Sequence, residues 1–195
     1  MKIAKIVTSN SHLDYVGRVI DSLDSENPPA SDDFGFAQFV SVPLENESII
    51  GIIHNSMLVN PEYSNYGPRL SPKPELANFS PDYINEQGLL IGILLLGTIR
   101  YGLTEHGIPR RVIPPGQEVF TAAAGDVKKF HTDSDGKLRI HYYSQIISHA
   151  GTLGVPLLES IIGQLSEDCD AEDLNRLGVL KQTLAWQRAF GGMRL

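Results

Sequence analysis

The sequence predicts a small antiparallel β-barrel followed by a C-terminal helical segment, a mainly β fold with some α. Two observations carry this prediction. Up to about residue 122 the apolar runs have the composition of strands and no helical crossover separates them, which argues against a parallel α/β sheet. After Gly125 the apolar residues take up a helical period. We therefore expect a barrel in residues 1–125 and a mainly helical segment in residues 126–195, packed on or beside the barrel.

Five runs in the first part suit a pleated, buried or half-buried strand, because they are rich in β-branched, aromatic and other apolar residues. They are residues 13–20, 34–42, 48–59, 89–101 and 118–122. An isolated glycine inside a strand usually marks a bulge or a bend, and a small closed barrel needs both. Such glycines occur in four of the five runs: Gly17, Gly35, Gly51, Gly92 and Gly97.

Two polar stretches interrupt these runs. Residues 21–33 form an acidic connection that contains Pro28 and Pro29. Residues 60–87 hold five prolines and three tyrosines and predict a long loop. That loop either lies on its own barrel or contacts a neighbouring subunit.

The second part predicts two helices. Leu158, Ile161, Ile162 and Leu165 share one face of the first, with Pro156 in its first turn. The second begins after Asp170, continues to about Arg188 and is stopped by Gly191 and Gly192. Residues 138–150 are expected to form a strand that turns into a helix ending near Gly151.

The second helix carries a leucine stripe that is a candidate interaction surface. The stripe either packs on the protein's own barrel or mediates self-association. It consists of Leu174, Leu177, Leu180 and Leu184.

Composition excludes several classes of protein. A net charge of −7, from 16 Lys and Arg against 23 Asp and Glu, disfavours non-specific phosphate binding. The single cysteine, Cys169, rules out an internal disulfide and a multi-cysteine zinc site. The most apolar run, residues 89–99, is about half the length of a membrane span, and the apolar start of the chain is too short for a signal-peptide core. We expect a cytoplasmic protein with no membrane contact.

No catalytic, cofactor or metal site is predicted. No histidine pair has the spacing of a zinc protease, and the pair His141 and His149 shares a face only if the whole segment is helical. The DSDG sequence at Asp133 lacks the glutamate that an EF-hand requires at its twelfth position, so a turn is expected. Carboxylates beside Cys169 disfavour a reactive thiolate.

Three segments resemble the HAS-barrel family, the N-terminal β-barrel of HerA-type DNA translocases and of ATP-synthase α and β subunits. They are VGRVI at residues 16–20, IIGII at 49–53 after an acidic turn, and PRRVIPPGQEVFTA at 109–122. The resemblance implies a barrel that packs side by side into rings and steers a partner ATPase. The phosphate-binding loop that follows the barrel in the translocases has no counterpart, since Gly136-Lys137 is followed by leucine. We therefore expect a standalone barrel without the ATPase core, and we do not expect it to hydrolyse nucleotides alone.

The leading functional hypothesis is a non-catalytic assembly or adaptor module that self-associates or docks onto a separate ATPase-type protein. An alternative is a nucleic-acid-associated accessory protein, whose contacts would come from the local basic cluster Arg110, Arg111, Lys128 and Lys129. A further alternative is an enzyme whose site is assembled from residues that are distant in the sequence.

Overall fold

The computed structural model describes residues 1–59, 88–167 and 169–190. The predicted loop at 60–87 lies outside the described residues, as do Gly191 and Gly192. Within these residues seven strands and four α-helices form, in chain order. The strands are β1 (Lys2–Ser9), β2 (Asp14–Val19), β3 (Phe39–Leu44), β4 (Glu47–Val59), β5 (Gly88–Arg100), β6 (Leu103–His106) and β7 (Glu118–Thr121). The helices are α1 (Ala124–His131), α2 (Tyr143–His149), α3 (Gly154–Ser166) and α4 (Ala171–Phe190).

Six strands close into an antiparallel barrel. Their order is β2-β1-β7-β3-β4-β5, and pairing between β2 and β5 closes the circle. Among the described strands β6 pairs only with β5, and it extends the sheet outside the closed ring. The predicted fold class, a small antiparallel barrel followed by helices, is confirmed.

Strands β4 and β5 form the long ribbon of the barrel, each 13 residues in length. Residues 91–96 are almost all buried. A single barrel layer would leave the outer face of this strand exposed, but helix α2 packs against it. The register of the ribbon shifts at Gly51, as expected of a strand glycine. At Gly97 an added Cβ would lie 2.1 Å from the carbonyl oxygen of Glu105, so only glycine lets β6 approach.

The helices cover one side of the barrel and share its core. Helix α3 buries the predicted face of Leu158, Ile161, Ile162 and Leu165. Its Gln164 side chain donates a hydrogen bond of 2.8 Å to the carbonyl oxygen of Ala37. Helix α1 has Asp126 in its first turn and two lysines in its last, which complements the helix dipole. None of the described helices combines the length and apolar content that crossing a membrane requires.

Several predicted elements need correction. In the run 34–42 the strand begins only at Phe39, because residues Ser31–Phe34 form a 3₁₀ turn and Ala37 has a φ of 64°. Residues 138–142 are not a strand: Leu138 makes one isolated bridge to Thr132 before α2 begins. Strands β1 and β6 and helix α1 are absent from the predicted elements.

Candidate interaction surface

The two-residue turn between β5 and β6 is built from left-handed residues. Tyr101 has a φ of 48° and Gly102 a φ of 82°, which is the combination that tight hairpin turns need. Glycine adopts this conformation freely, whereas for Tyr101 it costs roughly 1–2 kcal/mol. The turn leaves 79% of Tyr101 and 78% of Leu103 exposed. A large apolar pair is therefore displayed at the tip of the hairpin, where the backbone of Tyr101 is strained.

A cleft of about 740 Å³ lies on one side of this turn, and three arginines line it. Glu47 lies among them with only 9% of its side chain exposed. Arg111 Nε is 3.2 Å from one carboxylate oxygen of Glu47, and Arg100 Nε is 4.0 Å from the other. Arg110 makes no ion pair within the described part of the chain. One carboxylate therefore positions two arginines and leaves the cleft cationic.

The loop that follows β6 displays two further apolar side chains, of which Ile108 lines this cleft. Ile108 is 64% exposed and Val112 is 66% exposed. Pro109 and Ile113 of the same loop are buried, and the backbone N–H of Ile113 donates to the hydroxyl of Tyr15 over 3.2 Å. The loop is thus anchored to the barrel at Pro109 and Ile113, and the three residues between them are exposed.

A second cleft, of about 680 Å³, lies on the other side of the turn and is lined by Lys128, Lys129 and Arg139. A Cβ on Gly102 would lie 3.3 Å from Lys129 Nζ, so this ammonium group reaches the turn itself. Arg139 donates hydrogen bonds to the backbone oxygen, at 2.7 Å, and to the hydroxyl of Thr104. Together the described residues lining the two clefts include six Lys and Arg but three carboxylates.

The structure therefore brings all four sequence-predicted basic residues, Arg110, Arg111, Lys128 and Lys129, around one hairpin. We call this surface the hairpin face. It consists of Arg100, Tyr101, Leu103, Ile108, Arg110, Arg111, Val112, Lys128 and Lys129.

A cluster of buried rings supports the hairpin face from behind. His106 of β6 donates from Nε2 to the carbonyl oxygen of Phe130 over 2.7 Å, and its Nδ1 accepts the backbone N–H of His141. His131 of α1 donates from Nδ1 to the carbonyl oxygen of Val127, so its Nε2 accepts the hydroxyl of Tyr142 at 2.6 Å. Every ring nitrogen of the two histidines therefore has a fixed role.

Burial is the main cause of the pKa shifts in this cluster. It lowers the pKa of His106 and of His131 to about 4, and raises that of Tyr142 well above its usual value. Both imidazoles are consequently neutral at physiological pH. Their hydrogen bonds hold β6, α1 and the segment before α2 together, so these groups serve the fold.

The opposite end of β5 is acidic. Residues 21–33, which we call the acidic segment, contain five carboxylates and no Lys or Arg. Arg18 joins this segment to the barrel: its NH2 lies 3.3 Å from Asp21 and 3.9 Å from Asp24, and its Nε lies 3.2 Å from where a Cβ on Gly88 would be. Leu23 is 68% exposed within the segment, and Phe36 just after it is 47% exposed.

A hydrogen bond between a histidine and an aspartate joins strands β2 and β4. His54 Nε2 donates to Asp14 Oδ1 over 2.9 Å, and Asn10 donates to the other carboxylate oxygen. The pKa of Asp14 is lowered: burial raises it, but the hydrogen bonds from His54 and Asn10 outweigh burial. Nothing in the sequence pattern pairs these residues, which are far apart along the chain.

Comparison with known proteins gives one family. The family model described as Domain of unknown function (DUF8166) matches residues 1–194. The chain belongs to this family. No curated protein matches it.

In this DUF8166 chain the leucine stripe divides between core and surface. Leu177 and Leu184 are buried in the common core, where α4 packs on α3. Leu180 is partly buried and packs against the same core, whereas Leu174 is 44% exposed. The inner part of the stripe serves internal packing, and its outer part is accessible.

The remaining sequence candidates take up local structural roles in the DUF8166 fold. Asp133 Oδ1 accepts the backbone N–H groups of Asp135 and Lys137, each at 2.9 Å, which forms the predicted turn. Cys169 donates from Sγ to the carbonyl oxygen of Leu165. Among the described residues no three His, Cys, Asp or Glu side chains converge as metal ligands.

Proposed function

We propose that this DUF8166 chain is a non-catalytic assembly module that self-associates and docks onto a separate protein. An ATPase-type partner is the class that the HAS-barrel resemblance implies. The observation that carries the proposal is the hairpin face, where large apolar side chains are displayed among cations. Surfaces of this composition are typical of protein contacts, in which Tyr and Arg are enriched and carry much of the binding energy.

The placement of the polar groups supports the same proposal. The most deeply buried histidine, His131, and the half-buried His106 at the end of β6 are engaged in hydrogen bonds within the fold. The hairpin face, by contrast, has exposed apolar groups for which the described structure provides no cover. The features that a partner can recognise therefore lie on the outside of the barrel.

Light scattering on a sizing column, at several protein concentrations, tests this proposal. A trimer, hexamer or other ring-sized species supports it. A monomer of 21.4 kDa at every concentration contradicts self-association. In parallel, ATP hydrolysis by the chain alone is expected to stay at the background rate, because no phosphate-binding loop is present.

A second candidate function is that of a nucleic-acid accessory protein. The observation that favours it is the convergence of Arg110, Arg111, Lys128 and Lys129 beside the exposed ring of Tyr101. A cationic groove next to an exposed aromatic ring is a common way to hold a single strand. Salt-sensitive binding of an oligonucleotide that weakens in Arg110→Ala would support this function, and no binding at low salt would exclude it.

A further inference from the structure

The described barrel has a cationic end and an acidic end, separated by the length of one strand. The acidic segment lies beside the first residue of β5, where Arg18 packs over Gly88. The hairpin face begins at Arg100, the last residue of the same strand. Thirteen residues of β-strand span about 40 Å. The two ends are therefore far apart and do not neutralise each other within one molecule at physiological salt.

The two ends also match in their apolar content. On the hairpin face the exposed apolar side chains Tyr101, Leu103 and Ile108 lie among cations. On the acidic end Leu23 and Phe36 are exposed among or next to carboxylates. Each end thus offers apolar surface among charges that are mostly of one sign, and the predominant signs are opposite.

From this complementarity we infer that the hairpin face binds the acidic end of a second copy of the chain, in a head-to-tail contact. This inference rests on the proposed function and names its interface. The aliphatic side chains Leu103, Ile108 and Val112 favour a protein occupant over a nucleic acid, because bases stack on aromatic rings and leave aliphatic groups uncovered. The contact joins different surfaces, so repeated copies form a closed ring or an open filament.

Two charge-reversal variants test the contact, one for each end. The cationic-end variant combines Arg110→Glu with Lys129→Glu, and the acidic-end variant combines Glu26→Lys with Asp32→Lys. None of the four side chains makes an ion pair within the described part of the chain, so both variants are expected to fold. Thermal melting checks this before any association is measured.

Each variant retains one intact end. We expect the wild type to assemble and each variant alone to be a monomer by light scattering, with a dissociation constant raised at least about tenfold. Mixed one to one, the two variants should associate again, because the intact acidic end of the cationic-end variant can bind the intact hairpin face of the acidic-end variant. Raising NaCl from about 0.05 to about 0.5 M should weaken the wild-type assembly.

Control variants carry charge reversals of the same sign away from both ends. Lys181→Glu is the control for the cationic-end variant, and Glu167→Lys is the control for the acidic-end variant; both residues are exposed and neither lines the two clefts. Both controls should assemble like the wild type. Dissociation of the controls would mean that net charge, and not the proposed contact, governs assembly.

The other outcomes are equally decisive. If the wild type assembles and both end variants assemble as well, the head-to-tail contact is wrong while the assembly function stands. If the mixture of the two monomeric variants stays monomeric, the two ends do not bind each other. If the wild type is a monomer at every concentration, the proposed self-association itself fails. A monomeric wild type that binds a labelled single-stranded oligonucleotide, with binding lost in the cationic-end variant, assigns the hairpin face to nucleic acid instead.

Discussion

His54 on β4 and Asp14 on β2 are hydrogen-bonded over 2.9 Å although strand β5 runs between them. Two local features allow this contact. The register between β4 and β5 shifts from Ile53 to Asn55, which makes His54 the additional residue of a bulge and redirects its side chain. Opposite it, Gly92 has no side chain, and the imidazole lies over its backbone. The glycine on the middle strand thus creates the space for a bond between the outer two.

Gly92→Ala should therefore destabilise the protein. The new Cβ would lie 3.0 Å from His54 Nε2, which is closer than ordinary van der Waals contact, so the imidazole must move away from Asp14. We expect a loss of about 1–2 kcal/mol in the free energy of unfolding, measured by urea denaturation. Gly163→Ala is the control: it adds a Cβ in open space within α3 and should stabilise by about 0.5–1 kcal/mol.

The effect of Gly92→Ala should also depend on His54. In a His54→Ala background the imidazole is gone, and the penalty for the added methyl group should fall by at least half. An undiminished penalty would place the clash elsewhere in the barrel.

Stability should decrease as the pH falls below about 6.5. His106 and His131 have pKa values near 4 in the folded protein and near 6.5 when unfolded. Between these values the unfolded chain binds more protons, so the stabilisation is complete above pH 6.5 and is lost as the pH approaches 4. From pH 7.5 to pH 5 we expect a loss of roughly 2–3 kcal/mol in total, since His106 is partly exposed. Denaturation at both pH values measures this loss of stability. His131→Gln should reduce the pH dependence, and His149→Gln is the control.

Tyr142→Phe should cost about 1–3 kcal/mol of stability. The hydroxyl of Tyr142 is the hydrogen-bond donor to Nε2 of His131, and its removal leaves a buried acceptor without a partner. Tyr101→Phe removes the same atom from an exposed ring and should change stability little. Equal effects of the two substitutions would contradict the assigned bond.

The leucine stripe of α4 should respond unequally to truncation. Leu184 is fully buried, so Leu184→Ala should cost about 2–4 kcal/mol, whereas Leu174→Ala should cost less than about 1 kcal/mol. Leu180→Asp should lower the melting temperature, because Leu180 packs against the common core. A Leu180→Asp variant that melts like the wild type but loses its oligomer would instead identify the stripe as an interface.

Arg110 and Arg111 are adjacent but should differ in their effect on folding. Arg111→Ala removes the closer ion partner of the buried Glu47 carboxylate and should destabilise by about 1–2 kcal/mol. Arg110→Ala should leave the melting temperature unchanged. Arg110 is for this reason the suitable position for binding experiments, since a loss of binding there is not a loss of fold.

Much of the fold can be predicted from the sequence, because the buried strands are recognisable as uninterrupted apolar runs. The runs at 48–59 and 89–101 become β4 and β5 almost unchanged, since uninterrupted β-branched and leucine-rich sequences suit strands buried on both faces. Strand β6 could not be found in this way. It is four residues long and alternates between exposed and half-buried positions, and its place depends on the glycine opposite it, Gly97.

The candidate surface was only partly visible in the sequence. Arg110-Arg111 and Lys128-Lys129 are recognisable as basic pairs, but their meeting around one hairpin depends on where α1 docks. The exposure of Tyr101 and Leu103 was hidden, because the run that ends at Tyr101 has the composition of a core strand. These side chains are exposed because the chain turns at two residues in the left-handed conformation. The composition of the run does not reveal this backbone conformation.

The closure of the barrel has a consequence for its synthesis. Strand β1 pairs with β7, for example Lys5 with Glu118, and β2 pairs with β5, so the ring is completed by contacts of very high sequence separation. Topologies of high contact order fold slowly. On the ribosome β1 must remain without its second neighbour until β7 has emerged, and the cover provided by α3 and α4 arrives later still. The nascent chain therefore passes through a stage with open strand edges, when chaperone binding competes with aggregation.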